Sequence, residues 1–219
     1  MYDEKYYKKH QDGSYKSAQI ILKFIHGITN FQTLIDYGCG MGTWGSAAKS
    51  LGISHYVGID QNSYDPTYML IESSDYIQQD LQKPIDIASK FDLSICVEVA
   101  EHIPKEKADI LLNNVCQNSE VILFSAALAM QGGTGHINEQ PCSYWIQKFR
   151  TRGYLPVDCI RSFFWNEEQI EIWYRNNCIL YMTAEALKQF KTNIPPILPP
   201  TDIIHPQMLE RILHKRGLK

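Results

Sequence analysis

At 219 residues, 44% of them hydrophobic, the chain can bury one sizeable core, and no second glycine loop, repeat or low-complexity stretch calls for a further domain. A formal net charge of −3 and an isoelectric point near 6.2 give no general attraction for nucleic acid or an anionic membrane, so no nucleic-acid partner is expected. No apolar run reaches the roughly 18 residues that span a bilayer, and Met1-Tyr2-Asp3-Glu4-Lys5 lacks a signal-peptide pattern, so a soluble, cytoplasmic protein is expected.

In chain order, the stretch from Tyr6-Tyr7 to Ser17-Ala18 precedes any strand pattern and is free to pack as an aromatic lid; a tyrosine pair anchoring a first helix fits equally. Strands are predicted near Thr33 to Tyr37, Tyr56 to Asp60, Asp75 to Gln79, Phe91 to Val97 and Glu120 to Ser125, with helical segments between them. The run Phe91 to Val97 is too continuously apolar for a half-exposed strand, and a strand buried on both faces belongs in a parallel sheet covered by helices. The predicted fold is therefore α/β, a doubly wound and mostly parallel sheet. Pro104 and Pro141 are placed to start helices, the second of them Ser143 to Arg150 with Gly153 at its end. Further strands are predicted near Asp158 to Phe164 and Cys178 to Met182. Ile194 to Pro200 reads as an extended arm, and Pro206 to Lys219 as a short, basic-ended helix. One domain over 1–219 results: a lead-in (1–30), a core (31–185) and an arm with a helix (191–219). The cysteines Cys39, Cys96, Cys116, Cys142, Cys159 and Cys178 form no Cys-x-x-Cys pair and read as reduced packing residues.

The most informative stretch is Leu34-Ile35-Asp36-Tyr37-Gly38-Cys39-Gly40-Met41-Gly42-Thr43-Trp44, an apolar strand running into alternating glycines and then a helix. Glycine tolerates positive φ and close approach of a ligand to bare backbone, so this reads as a nucleoside-cofactor loop. Asp60, ending the next apolar run, can accept from both hydroxyls of a ribose. The loop lacks the wider third gap of a dinucleotide fingerprint and the lysine of a P-loop. Asp36-x-Gly38-x-Gly40-x-Gly42 followed by Asp60 resembles the S-adenosylmethionine site of class I methyltransferases. That resemblance implies a seven-stranded sheet whose last pair is antiparallel. It implies a cofactor site of Asp36, Gly38, Cys39, Gly40, Gly42, Trp44, Asp60, Gln61, Asp80, Leu81, Val97 and Glu98, with Asp80 against the adenine amino group.

In doubly wound folds the ligand lies beyond the carboxyl ends of the strands, which gathers the glycine loop, Asp60, Asp80, Glu98 to His102 and the loop after Ser125 at one mouth. The last of these delivers His136, Asn138 and Glu139. Methyl transfer from a sulfonium is an in-line displacement governed by alignment. A sugar-like hydroxyl must also lose its proton, so His136 is the first candidate base and His102 the second; a histidine that only orders the loop or the substrate is the alternative. Glu98-x-x-Glu101-His102 resembles the metal-binding sequence of certain O-methyltransferases, including those of ubiquinone biosynthesis and of small-RNA 3′-end methylation. That implies Mg²⁺ or Mn²⁺ held by Glu98, Glu101 and His102, with His136 as fourth ligand; in many class I enzymes the same pattern serves without metal. The stretch from Gly132 to Trp145, with Glu171 to Asn177 and Ile204-His205-Pro206, looks like methyltransferases of polysaccharide and glycan assembly. It implies a sugar or glycan acceptor bound by Asn138, Glu139, Tyr144, Trp173 and Arg175, with glycosyltransferases of the same pathway as partners. A small-RNA 2′-O-methyltransferase and a non-catalytic cofactor-binding module are the competing readings.

Overall fold

The computed structural model describes residues 4–189 and 202–217, with the side chains of 4–11 left aside. Helix α1 (Glu4–Thr29) leads into strand β1 (Thr33–Tyr37), followed by α2 (Thr43–Ser50), β2 (His55–Asp60), β3 (Tyr76–Gln78), β4 (Leu93–Val97), α3 (Ala108–Cys116), β5 (Val121–Ser125) and α4 (Cys142–Arg150). Then come β6 (Tyr154–Val157), α5 (Cys159–Phe164), α6 (Ile172–Asn177), β7 (Ile179–Thr183), α7 (Ala184–Gln189) and α8 (Pro206–Lys215). The seven strands form one sheet in the order β3-β2-β1-β4-β5-β7-β6; β7 runs antiparallel between β5 and β6 and the other pairs are parallel. The expected doubly wound, mostly parallel seven-stranded sheet is thus observed.

Successive strand residues point to opposite faces, so each strand feeds two cores. Leu34, Tyr56, Leu93, Ile95, Leu123 and Leu180 meet α1 and α2 through Ile21, Leu22, Ile25, Trp44, Ala47 and Ala48. On the other face Ile35, Tyr37, Ile59, Cys96, Phe124 and Tyr181 meet Leu111, Leu112 and Val115 of α3 and Trp145, Ile146 and Phe149 of α4. Burial on both faces is why the sequence shows continuous apolar runs.

Two expectations are corrected. Asp158 to Phe164 is not a strand: β6 lies just before it, with Pro156 on the sheet edge where its missing N–H breaks no ladder. Residues 159–164 coil into α5, because the buried Arg161 donates Nε to Asp158 Oδ1 at 2.9 Å and Nη2 to Oδ2 at 2.6 Å, three residues apart. Ser162 Oγ adds a bond to Asp158 O at 2.7 Å, a spacing that only a helical turn closes. Nor is there a helix between β3 and β4. The irregular segment 79–92 is held by amide side chains of α3 and its following turn: Asn114 Oδ1 accepts from Ile85 N at 3.0 Å and its Nδ2 donates to Lys83 O at 2.9 Å. Asn118 Nδ2 donates to Ile87 O and Ser89 O at 2.7 and 2.6 Å.

The final helix is observed over Pro206–Lys215, whereas the proposed arm from Ile194 to Pro200 and the side chains of Tyr6 and Tyr7 lie outside the described residues. Among the described residues no helix is long and apolar enough to cross a membrane. All six cysteines are free thiols, five of them buried.

Candidate active site at the carboxyl edge of the sheet

Beyond the carboxyl ends of β1, β2 and β4 lies a cleft of about 1070 Å³, roomy enough for a nucleoside cofactor and an acceptor together. One end is the glycine loop. Gly38 has φ +87°, and a Cβ there would come within 2.3 Å of Val99 Cγ2, so only glycine brings the backbone this close to the β4 turn. Gly40 N donates to Asp60 Oδ2 at 3.0 Å, while Asp60 Oδ1 accepts from Asn62 N at 2.9 Å and Asn62 Nδ2 at 3.0 Å. Asp60 therefore ties the loop to the next strand end while still lining the cleft. Gly38, Cys39, Gly40, Trp44, Gln61, Leu81, Val97 and Glu98 line it too, so the backbone cradle and flanking side chains fit a nucleoside cofactor.

Three of the expected cofactor residues stand back from the wall. Asp36 is buried behind the loop, where its Oδ2 accepts from Tyr56 OH at 3.0 Å, and burial pushes its carboxyl up to about 8. Gly42, with φ 86°, opens α2. Asp80 Oδ1 accepts from Gln82 N at 2.9 Å, turning the carboxylate into its own turn and leaving Leu81 at the wall.

The other end holds the chemistry-bearing cluster. After β4 the chain turns sharply at Glu98, a non-glycine residue at φ 55°, and a short 3-10 turn then carries Ala100, Glu101 and His102. One ligating atom each from Glu101, His102 and His136 lies within 4.8 Å of the others. Glu101 is 1% exposed, and neither carboxylate oxygen has a hydrogen-bond partner of normal geometry among the described residues. Burial, then repulsion from Glu98, pushes its carboxyl well above the usual range. Glu98 is likewise raised by burial, opposed by hydrogen bonds from Asn177 and Ser125.

Both imidazoles have their tautomers set from behind. His102 Nδ1 lies 3.1 Å from Gly135 O, and a carbonyl only accepts, so Nδ1 carries the proton. His136 Nδ1 lies 2.8 Å from Glu139 Oε1, which fixes its proton in the same way. With each Nδ1 turned to an acceptor behind it, Nε2 is the nitrogen through which each ring would ligate a metal. The His136 ring packs on Gly133, where a Cβ would fall 2.2 Å from Nε2. Burial holds the His102 imidazole below its ordinary range. A buried carboxyl group with no hydrogen bond of normal geometry, beside two oriented imidazoles, fits a divalent cation; the mixed oxygen and nitrogen set suits Mn²⁺ better than Mg²⁺, which favours all-oxygen ligation.

Of the expected acceptor-binding residues only Trp173 lines the cleft. Glu139 accepts from Gly132 N at 2.6 Å as well as from His136, so it shapes the loop. Asn138 is buried; its N–H and that of Ile137 donate to Glu101 O at 3.0 and 2.9 Å, clasping the loop to the 3-10 turn. Tyr144 lies outside the cleft against Trp145, under Lys148 Nζ at 5.2 Å from its ring. Arg175 is buried and donates to Trp165 O at 3.2 Å and Gln207 Oε1 at 2.8 Å, joining α6 to α8. The sequence reading missed Ser14 of α1, Tyr64 and Tyr68 after β2, and Met208, Arg211 and Lys215 of α8, all on the cleft wall. For α8 the signal was present in its basic end; for Tyr64 and Tyr68 no motif marks them.

No family model matches the chain. The ribosomal protein L11 methyltransferase of Saccharophagus degradans is 31% identical over 104 residues, 48% of this chain and 32% of that protein, so the chain spans about a third of this curated relative's length. The magnesium protoporphyrin IX methyltransferase of Synechocystis PCC 6803 with bound S-adenosylmethionine superposes with a TM-score of 0.57 at 15% identity, covering 78% of this chain and 80% of that one. The chain has the class I S-adenosylmethionine-dependent methyltransferase fold. A small RNA methyltransferase, HEN1, shares it with a TM-score of 0.55 at 12% identity, over 84% of this chain and 27% of that one. In this methyltransferase fold the glycine loop, the acid ending β2 and the turn after β4 share one cleft here.

Proposed function

We propose that the protein is an S-adenosylmethionine-dependent O-methyltransferase that acts on a sugar hydroxyl and uses a divalent cation held by Glu101, His102 and His136, with Glu98 beside them. The observation that carries this reading is the grouping of buried Glu101, whose oxygens make no hydrogen bond of normal geometry, with two oriented imidazoles within 4.8 Å in the cleft that also holds the glycine loop. When bound, S-adenosylmethionine supplies the methyl group on a sulfonium, and the cation lowers the pKa of a hydroxyl beside it. This chain's residues do the rest. Gly38, Gly40 and Asp60 hold the nucleoside end, Glu139 and Gly135 O fix the imidazole tautomers, and the bonds from Ile137 and Asn138 to Glu101 O keep the His136 loop seated. In this reading His136 and His102 serve as ligands rather than as the base, and the proton of the acidified hydroxyl passes to solvent water as the methyl moves.

A non-catalytic module has no need of a buried acid grouped with two imidazoles, since burying such a polar group costs stability. A small-RNA acceptor also offers a ribose hydroxyl, yet the net charge of −3 gives a polyanion little attraction. Glycosyltransferases of one glycan pathway are the natural partners of a sugar methyltransferase.

The deciding experiment follows labelled methyl from S-adenosylmethionine into a panel of sugars and nucleotide sugars, with chelator, then with added Mn²⁺ or Mg²⁺. Chelator should abolish transfer and Mn²⁺ restore it, and Glu101→Gln should lower turnover by roughly a hundredfold or more while S-adenosylhomocysteine affinity holds. Undiminished transfer in chelator would remove the cation from the reading; no transfer to any sugar would remove the acceptor class.

A further inference from the structure

We propose that Arg211 and Lys215, on the cleft face of α8, bind a phosphate group of the acceptor, so that the sugar to be methylated is phosphate-bearing, such as a nucleotide-activated hexose; this rests on the methyltransferase reading above. Helix α8 seats Met208 and Ile212 on Ile172 and Trp173. Arg211 and Lys215 stand four residues apart beside that seam, and both line the cleft. The Arg211 guanidinium lies 5.0 Å from the centre of the Trp173 ring, which holds it at the wall. Lys215 Nζ donates to Gly132 O at 2.7 Å and Gln131 O at 3.3 Å, so it sits on the loop that carries His136.

The helix is fixed to the catalytic cluster at its other end as well. His205 N donates to Asn176 Oδ1 at 2.6 Å, Asn176 Nδ2 to Asn177 Oδ1 at 2.7 Å, and Asn177 Nδ2 to Glu98 Oε1 at 3.2 Å. The two cations therefore have a set position relative to the reacting centre. Among the described residues neither forms an ion pair with a carboxylate. Asp65, which shares the cleft, accepts on Oδ1 from Thr67 N and Oγ1 at 2.9 and 2.8 Å, which anchors it in its own turn. Like charges four apart on a helix repel, and the Lys215 ammonium is held below its ordinary range by burial and by Arg211, with the Glu139 carboxylate offsetting only part of that. An anion between them removes that penalty, and a guanidinium fork beside an ammonium matches phosphate oxygens. Two cations on a molecule of net charge −3 suit one or two phosphates rather than a long polyanion.

The test is calorimetry on the full chain with S-adenosylhomocysteine bound, titrating uridine diphosphate glucose, inorganic pyrophosphate, methyl glucoside, glucuronic acid and a short single-stranded RNA. The first two should bind and methyl glucoside should not at the same concentration. Arg211→Ala should weaken uridine diphosphate glucose by about tenfold or more, with partial recovery in Arg211→Lys and unchanged S-adenosylhomocysteine affinity in both. Equal binding of methyl glucoside, tighter binding of glucuronic acid or RNA, or indifference to Arg211→Ala would each overturn the phosphate site. Failure of S-adenosylhomocysteine to bind wild type, with pyrophosphate still bound, would instead overturn the methyltransferase reading.

Discussion

Asp36 ends up behind the glycine loop because its neighbours in β1 alternate into two cores, leaving its carboxyl inside with Tyr56 OH as donor. Its carboxyl, raised from 3.8 to about 8 chiefly by burial, binds a proton in the folded state over a range where the unfolded chain does not. Folding stability from this group is therefore complete at low pH and lost as pH rises toward 8, at about 1.4 kcal/mol per pH unit at the steepest. Asp36→Asn, which cannot ionise, should match wild type near pH 4 and exceed it at pH 8 in urea titrations; parallel stability curves would show that Asp36 ionises freely. The sequence marked Asp36 as a loop residue but not its depth, since spacing says which face a residue takes and not what covers that face. The same limit explains Tyr144 and Arg175. Both have the right chemistry for a sugar, and partners distant in sequence, Lys148 with Trp145 in one case and Trp165 with Gln207 in the other, hold them elsewhere. The convergence of Glu98, Glu101, His102 and His136 on one cleft was legible because each follows a strand end, and strand ends converge by topology.

At the scale of elements, the strands were readable to within two residues where both faces are apolar, and misread where one charged pair outweighs pattern. Arg161 on Asp158 turned an apolar stretch into α5. The segment 79–92 shows the complementary case, in which backbone groups without a helix or ladder are satisfied by side chains from another element. Asn114 alone serves Ile85 N, Leu81 O and Lys83 O, and it is 3% exposed. Asn114→Ala should therefore destabilise the protein by roughly 2 to 3 kcal/mol, because buried donors and acceptors lose their partners. Hydrogen exchange should show the loss concentrated at Ile85 and its neighbours. A loss under about 0.5 kcal/mol would mean that this segment takes its hold from packing of Leu81, Ile85 and Phe91 instead.

For the whole molecule, the cleft is where separated parts of the chain meet. Ser14 of α1, the loops after β1, β2 and β4, Tyr174 of α6 and Met208 of α8 share its wall, and Tyr174 OH donates to Ser14 Oγ at 3.1 Å across 160 residues of sequence. A ligand that fills the cleft binds the folded chain and not the unfolded one, so its affinity adds to global stability. At about 100 times its dissociation constant, S-adenosylhomocysteine should add roughly 2.7 kcal/mol. That corresponds to about 5 to 10 °C in Tm for a chain of this size. Asp60→Ala removes the carboxylate that both faces the cleft and receives Gly40 N, and should cut affinity about tenfold, taking roughly 1.4 kcal/mol from the ligand-induced gain at the same concentration. Because the variant also loses its bonds to Asn62, its Tm without ligand should fall too, so the ligand-induced shift is the quantity to compare. An equal shift in variant and wild type would reduce Asp60 to a loop tie, and no shift in wild type would mean that the cleft does not take this nucleoside.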